Sequence, residues 1–344
     1  MGCSFSGLNA IYGAAGGTGD VWVNDNRFRI LKQIGGTDVS STVYLVKENL
    51  PDGATGGLAK KKSIDPSHIS ADGTYAMKKF MIHSKEQLEL VKQEIRVSSQ
   101  FNHPNLLPLL DHAIISVKGK EDGVQNYEAY LLFPVHLDGT LSELTKIMQA
   151  KNEFFPTITV LQIFRQLCAG LKHMHSFDPP HAHNDVRPEN VLITQRKEQA
   201  PLAMLMDFES ARPARRSIQS QSEASQLQEW AAEHCSALYR APELWDVPSN
   251  ADIDERTDVW SLGCTLYAIM YGKSPFDYEI DESEGGLKSA VKSAQIKWSE
   301  GPNPAYPDPL RQFITWMLQP QPAIRPTIDD IIIHVDKLIV KYSS

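Results

Sequence analysis

His183-Asn184-Asp185-Val186-Arg187-Pro188-Glu189-Asn190 places a carboxylate, a cation and an amide at close, fixed spacing ahead of an apolar run. That set suits phosphoryl transfer. Asp185 can orient and deprotonate an attacking hydroxyl, Arg187 can neutralise charge on the moving group, and Asn190 can offer an amide oxygen to magnesium. A second carboxylate, Asp207, ends another apolar run in Met206-Asp207-Phe208-Glu209, where it could hold magnesium against phosphates. Magnesium takes oxygen ligands and shares them with substrate phosphates, so one Asp and one Asn suffice. Nearer the N-terminus, Tyr75 to Met81 reads as a strand whose period-two alternation puts Ala76 and Lys78 on one face and Lys79 on the other.

These groups need elements to hold them. Between Arg27 and Val46, the apolar residues Phe28, Ile30, Val43 and Leu45 alternate around a glycine-bearing turn, which predicts two antiparallel strands. The stretch from Lys47 to Thr74 is rich in Pro, Gly and Lys, including Lys60-Lys61-Lys62, and reads as a solvated insertion. Ser84-Lys85-Glu86-Gln87 resembles a capping box, and Leu88, Val91 and Ile95 continue it as a helix through Glu94, ended by His103-Pro104-Asn105. Leu106 to Leu110 and Tyr127 to Val135 are predicted strands, with a turn at His136-Leu137-Asp138-Gly139 marking a boundary. Beyond it Val160, Ile163, Phe164, Leu167, Leu171 and Met174 form one helical stripe, and the Ser- and Gln-rich Ser217 to Gln228 reads as a mobile loop. The expected layout is a flexible segment over 1–26, a mostly β lobe over 27–135 and a mostly α lobe over 136–344.

With 344 residues, 42% of them hydrophobic, the chain can bury two cores. Its net charge of −8 argues against a nucleic-acid partner, because release of phosphate counterions needs an electropositive face. Cys3, Cys168, Cys235 and Cys264 are too scattered for a zinc site or a disulfide framework. No apolar run approaches the roughly 20 residues of a membrane-spanning helix. Met1-Gly2-Cys3-Ser4-Phe5-Ser6 instead fits the myristoylation pattern at Gly2, with Cys3 placed to take a second acyl chain. Two chains give stable anchorage where one is marginal, so the expected partner is a membrane surface reached through acyl groups. Gly13-Ala14-Ala15-Gly16-Gly17 reads as the tether.

Taken in order, these motifs resemble the protein kinase family, whose catalytic loop reads His-Arg-Asp-Leu-Lys-Pro-Glu-Asn and whose metal loop reads Asp-Phe-Gly. Tyr239-Arg240-Ala241-Pro242-Glu243 is similar to the family's Ala-Pro-Glu segment, Asp258-Val259-Trp260-Ser261-Leu262-Gly263 to the start of its central large-lobe helix, and Arg325 to the partner of Glu243. The resemblance implies an α+β, bilobal kinase fold, ATP and Mg2+ as cofactors, and a protein substrate bearing Ser or Thr. It implies that Lys78 grips the α- and β-phosphates and pairs with Glu94. It also implies ATP contacts from Gly36, Ser41, Val43, Ala76 and Leu192, with Phe133 as gatekeeper and Pro134, Val135 and His136 as the hinge, and metal ligation by Asn190 and Asp207. Gly2, Cys3 and the Trp230-Ala231-Ala232-Glu233-His234-Cys235-Ser236 segment resemble the acylated branch of the Numb-associated kinases. That resemblance implies the cytoplasmic face of Golgi, other endomembranes or plasma membrane, and a trafficking role.

Several positions depart from the family. The phosphate loop aligns as Gly36-Thr37-Asp38-Val39-Ser40-Ser41-Thr42-Val43, and Asp38 sets bulk and negative charge where glycine amides would approach phosphate, an arrangement expected to weaken ATP binding. Asn184 replaces an arginine that often anchors a phosphorylated loop, Arg187 replaces lysine, and Glu209 replaces glycine. Two readings follow: an active, lipid-anchored serine/threonine kinase, or a pseudokinase scaffold that keeps the fold without turnover.

Overall fold

The computed structural model describes residues 19–36, 41–49, 57–61, 64–118, 125–197, 199–279, 284–298 and 306–343. The expectations for Gly2, Cys3 and Asp38 lie outside them. The chain forms two compact units, one from Met1–Ser99 with Pro108–Val135 and the other from Gln100–Leu107 with His136–Ser344.

The first unit is an antiparallel sheet built from β1 (Asp20–Val23), β2 (Asn26–Gly35), β3 (Ser41–Glu48), β4 (Thr74–Ile82), β5 (Asp111–Lys118) and β6 (Gln125–Pro134), in the order β1-β2-β3-β4-β6-β5. β1 falls inside the segment read as flexible. Four residues paired with β2 from Asp20↔Arg29 to Val23↔Asn26 give it a place on the sheet edge. Alternation along β4 separates two cores. Tyr75 and Met77 join Val23, Phe28, Val46, Leu132 and Leu58 on one face. Phe80 and Ile82 join Ala129, Leu131 and the Val91 and Ile95 side chains of α1 (Lys85–Ser98) on the other. Each large side chain so buried contributes about 1.5–3 kcal/mol.

The described part of the insertion after β3 is not the solvated excursion its composition suggests. Leu58 is fully buried, Ile64 and Ile69 pack on the same core, and Lys61 is paired with Asp111. Three spaced apolar residues are enough to cover a sheet face, and the polar residues between them mask that role. Leu106 to Leu110, read as a strand, makes only one bridge, Leu106 to Leu205. That segment starts in the second unit and ends in the first, so no single sheet edge runs its length.

The second unit holds α2 (Leu141–Ala150), α3 (Thr157–His175), β7 (His181–Ala182), β8 (Val191–Thr194), β9 (Leu202–Leu205), β10 (Arg212–Pro213), β11 (Arg216–Ile218), α4 (Gln221–His234), β12 (Ala251–Ile253), α5 (Arg256–Tyr271), α6 (Glu284–Lys292), α7 (Asp308–Met317) and α8 (Ile328–Tyr342). The α3 stripe is buried as its spacing predicts. α5 is buried on every side from Thr257 to Tyr271, so it forms the centre of the unit. α7 and α8 pack around α3, with Phe164 edge-on to Phe313 at 5.5 Å and Arg165 bonded to Asp336 at 2.7 Å.

The segment read as a mobile loop is α4, preceded by β11. Ser220 caps the helix by accepting from the Glu223 amide, and Ala224, Leu227 and Ala231 bury one face against Ile218, Leu244, Val247 and Ile253. A Ser- and Gln-rich surface hid a narrow but regular apolar stripe. Among the described residues no helix is long and apolar enough to cross a membrane.

Candidate active site

In the first unit, the pairing of β4 with β3 and β6 sets Lys78 opposite Val43 and Leu131, and Ala76 opposite Leu45 and Phe133. Val43, Ala76 and Phe133 are therefore half-buried neighbours on the face that carries Lys78. Lys78 Nζ lies 3.0 Å from Glu94 Oε1, and the Glu94 side chain is only 3% exposed. The helix cap explains this placement. Ser84 Oγ accepts from the Gln87 amide, while the Gln87 side chain accepts from the His83 amide, fixing where α1 begins and so which residue its third turn presents. Lys79 faces the other way and meets Glu128 at 3.0 Å.

Gly36 follows β2 with φ +76°, and a Cβ there would sit 2.7 Å from the Ser41 carbonyl oxygen. Its role is thus conformational: the chain must turn left-handed to bring Ser41 into β3 opposite Phe80. Gly36→Ala is expected to lower stability by about 1–2 kcal/mol or more, measured by denaturant melts, because strain and backbone overlap add. Pro134 ends β6 opposite Tyr75, and half-buried Val135 follows as the last residue of this unit.

In the second unit, one buried carboxylate shapes the loop that carries Asp185. Asp258, at the start of α5 and fully buried, accepts from the His183 and Asn184 amides at 2.8 Å each and meets His175 Nε2 at 2.9 Å. Asn184 adopts φ +65°, and its side-chain amide donates to the Ala182 and Ser210 carbonyls at 3.3 and 3.1 Å. Asparagine tolerates this backbone better than most residues, so position 184 works here as a turn residue.

The turn delivers Asp185 to three donors. Its Oδ2 accepts from Arg187 Nε at 3.1 Å and Asn190 Nδ2 at 2.8 Å, and its Oδ1 accepts from the Ser236 amide at 3.0 Å. His183 completes the frame: Nδ1 accepts from the Asp185 amide at 3.2 Å, which leaves the proton on Nε2 to donate to the Met206 carbonyl at 3.1 Å. The Met206 amide donates to the Asn190 carbonyl at 2.9 Å, so Asp207, at φ +65°, is held beside the loop. Phe208 is buried against His183 and Phe101, with ring centroids 5.5 and 5.6 Å away.

Other expected residues are placed as follows. Leu192 is half-buried in β8 opposite Met204, and His136 Nδ1 lies 2.8 Å from Thr194 Oγ1. Arg325 donates two 2.7 Å bonds to Glu243. The sequence reading missed Ser236, because a backbone amide leaves no mark in residue type. It also gave Asp258 only a motif's place, without its role as the loop's anchor. Cys235 lies beside Asp185, but burial first and the Asp185 charge second push its thiol up to about 12, so it is no nucleophile at neutral pH.

The donor set suits magnesium. Asn190 Nδ2 donates to both the backbone carbonyl and Oδ2 of Asp185, at 2.9 and 2.8 Å, which orients the amide and keeps Oδ1 as its oxygen donor. The backbone bond from Met206 to Asn190 sets Asp207 one residue beyond a direct backbone link to the residue that carries that amide. Among the described residues there is no cluster of three or more His, Cys, Asp or Glu of the kind that holds a metal without help from substrate. Two oxygen donors match an ion that shares its coordination with phosphates.

Comparison with known proteins agrees with this chemistry. The family model described as Protein kinase domain matches residues 44–335. The human protein named serine/threonine-protein kinase 16 is 32% identical over 295 residues, spanning 86% of this chain and 90% of the relative. The rat protein of the same name is 31% identical over the same shares. Serine/threonine-protein kinase ENV7 of Saccharomyces cerevisiae is 25% identical over 354 residues, spanning 90% of this chain and 91% of the relative.

Proposed function

The chain belongs to the protein kinase family and is a serine/threonine kinase, and from that premise we propose that it works as a lipid-anchored enzyme that phosphorylates proteins at a membrane surface. The observation that carries the catalytic part is the Asp185 carboxylate, held by Arg187, Asn190 and Ser236 in one orientation. Asp185 orients the substrate Ser or Thr hydroxyl and takes its proton as the oxygen bonds to the γ-phosphorus and the bond to the leaving ADP oxygen breaks. Arg187 offsets negative charge near that centre, and Lys78, steadied by Glu94, holds the α- and β-phosphates. Asn190 and Asp207 would hold magnesium, which when bound neutralises charge on the phosphate oxygens.

Val43, Ala76 and Leu192 would pack on the adenine, and the backbone of Pro134 to His136 would bond its edge. Gly2 and Cys3 supply the anchor, and with the Trp230 to Ser236 segment they favour the acylated Numb-associated branch and a role in membrane trafficking.

Two measurements test this reading. Magnesium-dependent transfer of γ-phosphate from ATP to casein should fall about a hundredfold or more in Lys78→Ala, and equal transfer by native and variant chains would sink the catalytic assignment. In cell fractionation, Gly2→Ala should move the chain from the membrane pellet to the supernatant and Cys3→Ser should weaken retention. Full sedimentation of both variants would refute the acyl anchor.

A further inference from the structure

A recess of about 400 Å³ lies in the second unit, lined by Arg212, Arg216, Ile218, Leu227, Trp230 and Glu223 among others. None of these residues belongs to the set that handles phosphate, metal or hydroxyl at Asp185. We propose that this recess binds a phosphorylated side chain on a segment of a partner protein, with Arg212 and Arg216 gripping the phosphate and Trp230, Ile218 and Leu227 receiving the adjoining apolar atoms.

The charge pattern points to an anion. Of the three arginines in this stretch, Arg215 is paired with Glu255 at 3.0 Å, whereas no ion pair to a carboxylate is formed by Arg212 or Arg216 among the described residues. Arg212 instead lies flat over Trp230, its guanidinium carbon 3.3 Å from the ring centroid. Stacking on the ring fixes the plane of the guanidinium and leaves its edge donors for a ligand. Burial first, and the Arg216 charge second, lower the Arg212 pKa to about 10, so two cations are held close together and Arg212 stays charged at neutral pH. An anion placed between them relieves that repulsion.

Two carboxylates stand nearby. Glu223 lines the recess, but its Oε2 accepts from the Gln219 amide at 2.7 Å as part of the α4 cap. Asp252 lies across the β11–β12 ladder from Ser217, which also lines the recess, and it forms no ion pair with Arg212 or Arg216 among the described residues. Two arginines favour a phosphate dianion over a carboxylate because its second charge and third terminal oxygen let both guanidinium groups bond it at once, and the apolar wall favours a ligand carried on a peptide over a free ion. The rigid base of the recess is the packed face of α4, formed by Leu227 with Ile218 of β11.

Binding needs no turnover, so this idea and the kinase reading fail by separate measurements. The probe is a fluorescein-labelled peptide, Gly-Ala-Leu-pSer-Leu-Ala-Gly, titrated by anisotropy into phosphatase-treated full-length chain without ATP, beside its unphosphorylated twin. The phosphorylated peptide should bind at least about tenfold more tightly, Arg216→Gln should weaken it by about five- to tenfold, and millimolar inorganic phosphate should compete. Arg216 is exposed, so its variant should keep the native melting midpoint. Arg212→Lys, which keeps charge but loses the planar stack, should bind more weakly than native. Equal affinity for the two peptides, native binding by both arginine variants, or failure of phosphate to compete overturns the proposal. So does binding that appears only after phosphatase treatment, because the phosphate would then come from the chain itself.

Discussion

Asp185→Asn is expected to lower kcat for phosphate transfer by about 10²–10⁴-fold, the range that a positioned general base supplies. The size of the loss follows from how the carboxylate is held. Oδ2 faces two donors and Oδ1 faces a third, so an amide in either orientation turns an NH2 group toward at least one N–H. The variant therefore loses both the proton acceptor and the fixed orientation. ATP affinity, measured by titration, should change much less, because in the proposed mechanism Asp185 would meet the substrate hydroxyl and not the nucleotide. Turnover within threefold of native would remove Asp185 from the reaction.

Arg325→Leu is expected to destabilise the second unit by about 3–5 kcal/mol, the cost of leaving one partner of a buried ion pair alone. The Arg325 side chain is fully buried, and besides its two bonds to Glu243 it donates to the carbonyls of Gln319, Arg256 and Pro320 at 2.6, 3.0 and 3.1 Å. Its guanidinium also lies over Trp260, 5.2 Å from the ring centroid. The double variant Glu243→Leu/Arg325→Leu should recover part of the loss, since no carboxylate is then stranded, but the carbonyls still lack their donor. Urea unfolding of the three chains decides the matter, and a single-variant cost below about 1 kcal/mol would show that the pair is not structural.

The chemistry was more legible in the sequence than its supports. Asp185, Arg187 and Asn190 lie close along the chain, so a short loop can gather them, and the structure does so. The pairing of Lys78 with Glu94 was implied by the resemblance to the kinase family, with strand alternation setting only the face of Lys78, and the two side chains lie 3.0 Å apart. What escaped was carried by the backbone or by sparse patterns. The Ser236 amide has no side-chain signature, and α4 has only Ala224, Leu227 and Ala231 as a buried stripe within a polar surface. The insertion after β3 was misread for the same reason, since Leu58, Ile64 and Ile69 are few among many polar residues. Composition averages over such stripes, whereas burial depends on them one residue at a time.

Asn184 has a consequence for regulation. A two-state switch moves only by the difference in affinity its ligand has for the two states, and reversing a 1:99 population takes about 5.5 kcal/mol. A cation at position 184 could supply part of that difference to a phosphorylated loop. The neutral amide found there is already bonded to Ala182 and Ser210, and it gains no charge-assisted bond when a phosphate is added nearby. Position 184 therefore offers a phosphorylation switch no cation, and the turn it shapes draws its two side-chain bonds from backbone carbonyls instead of from an added phosphate.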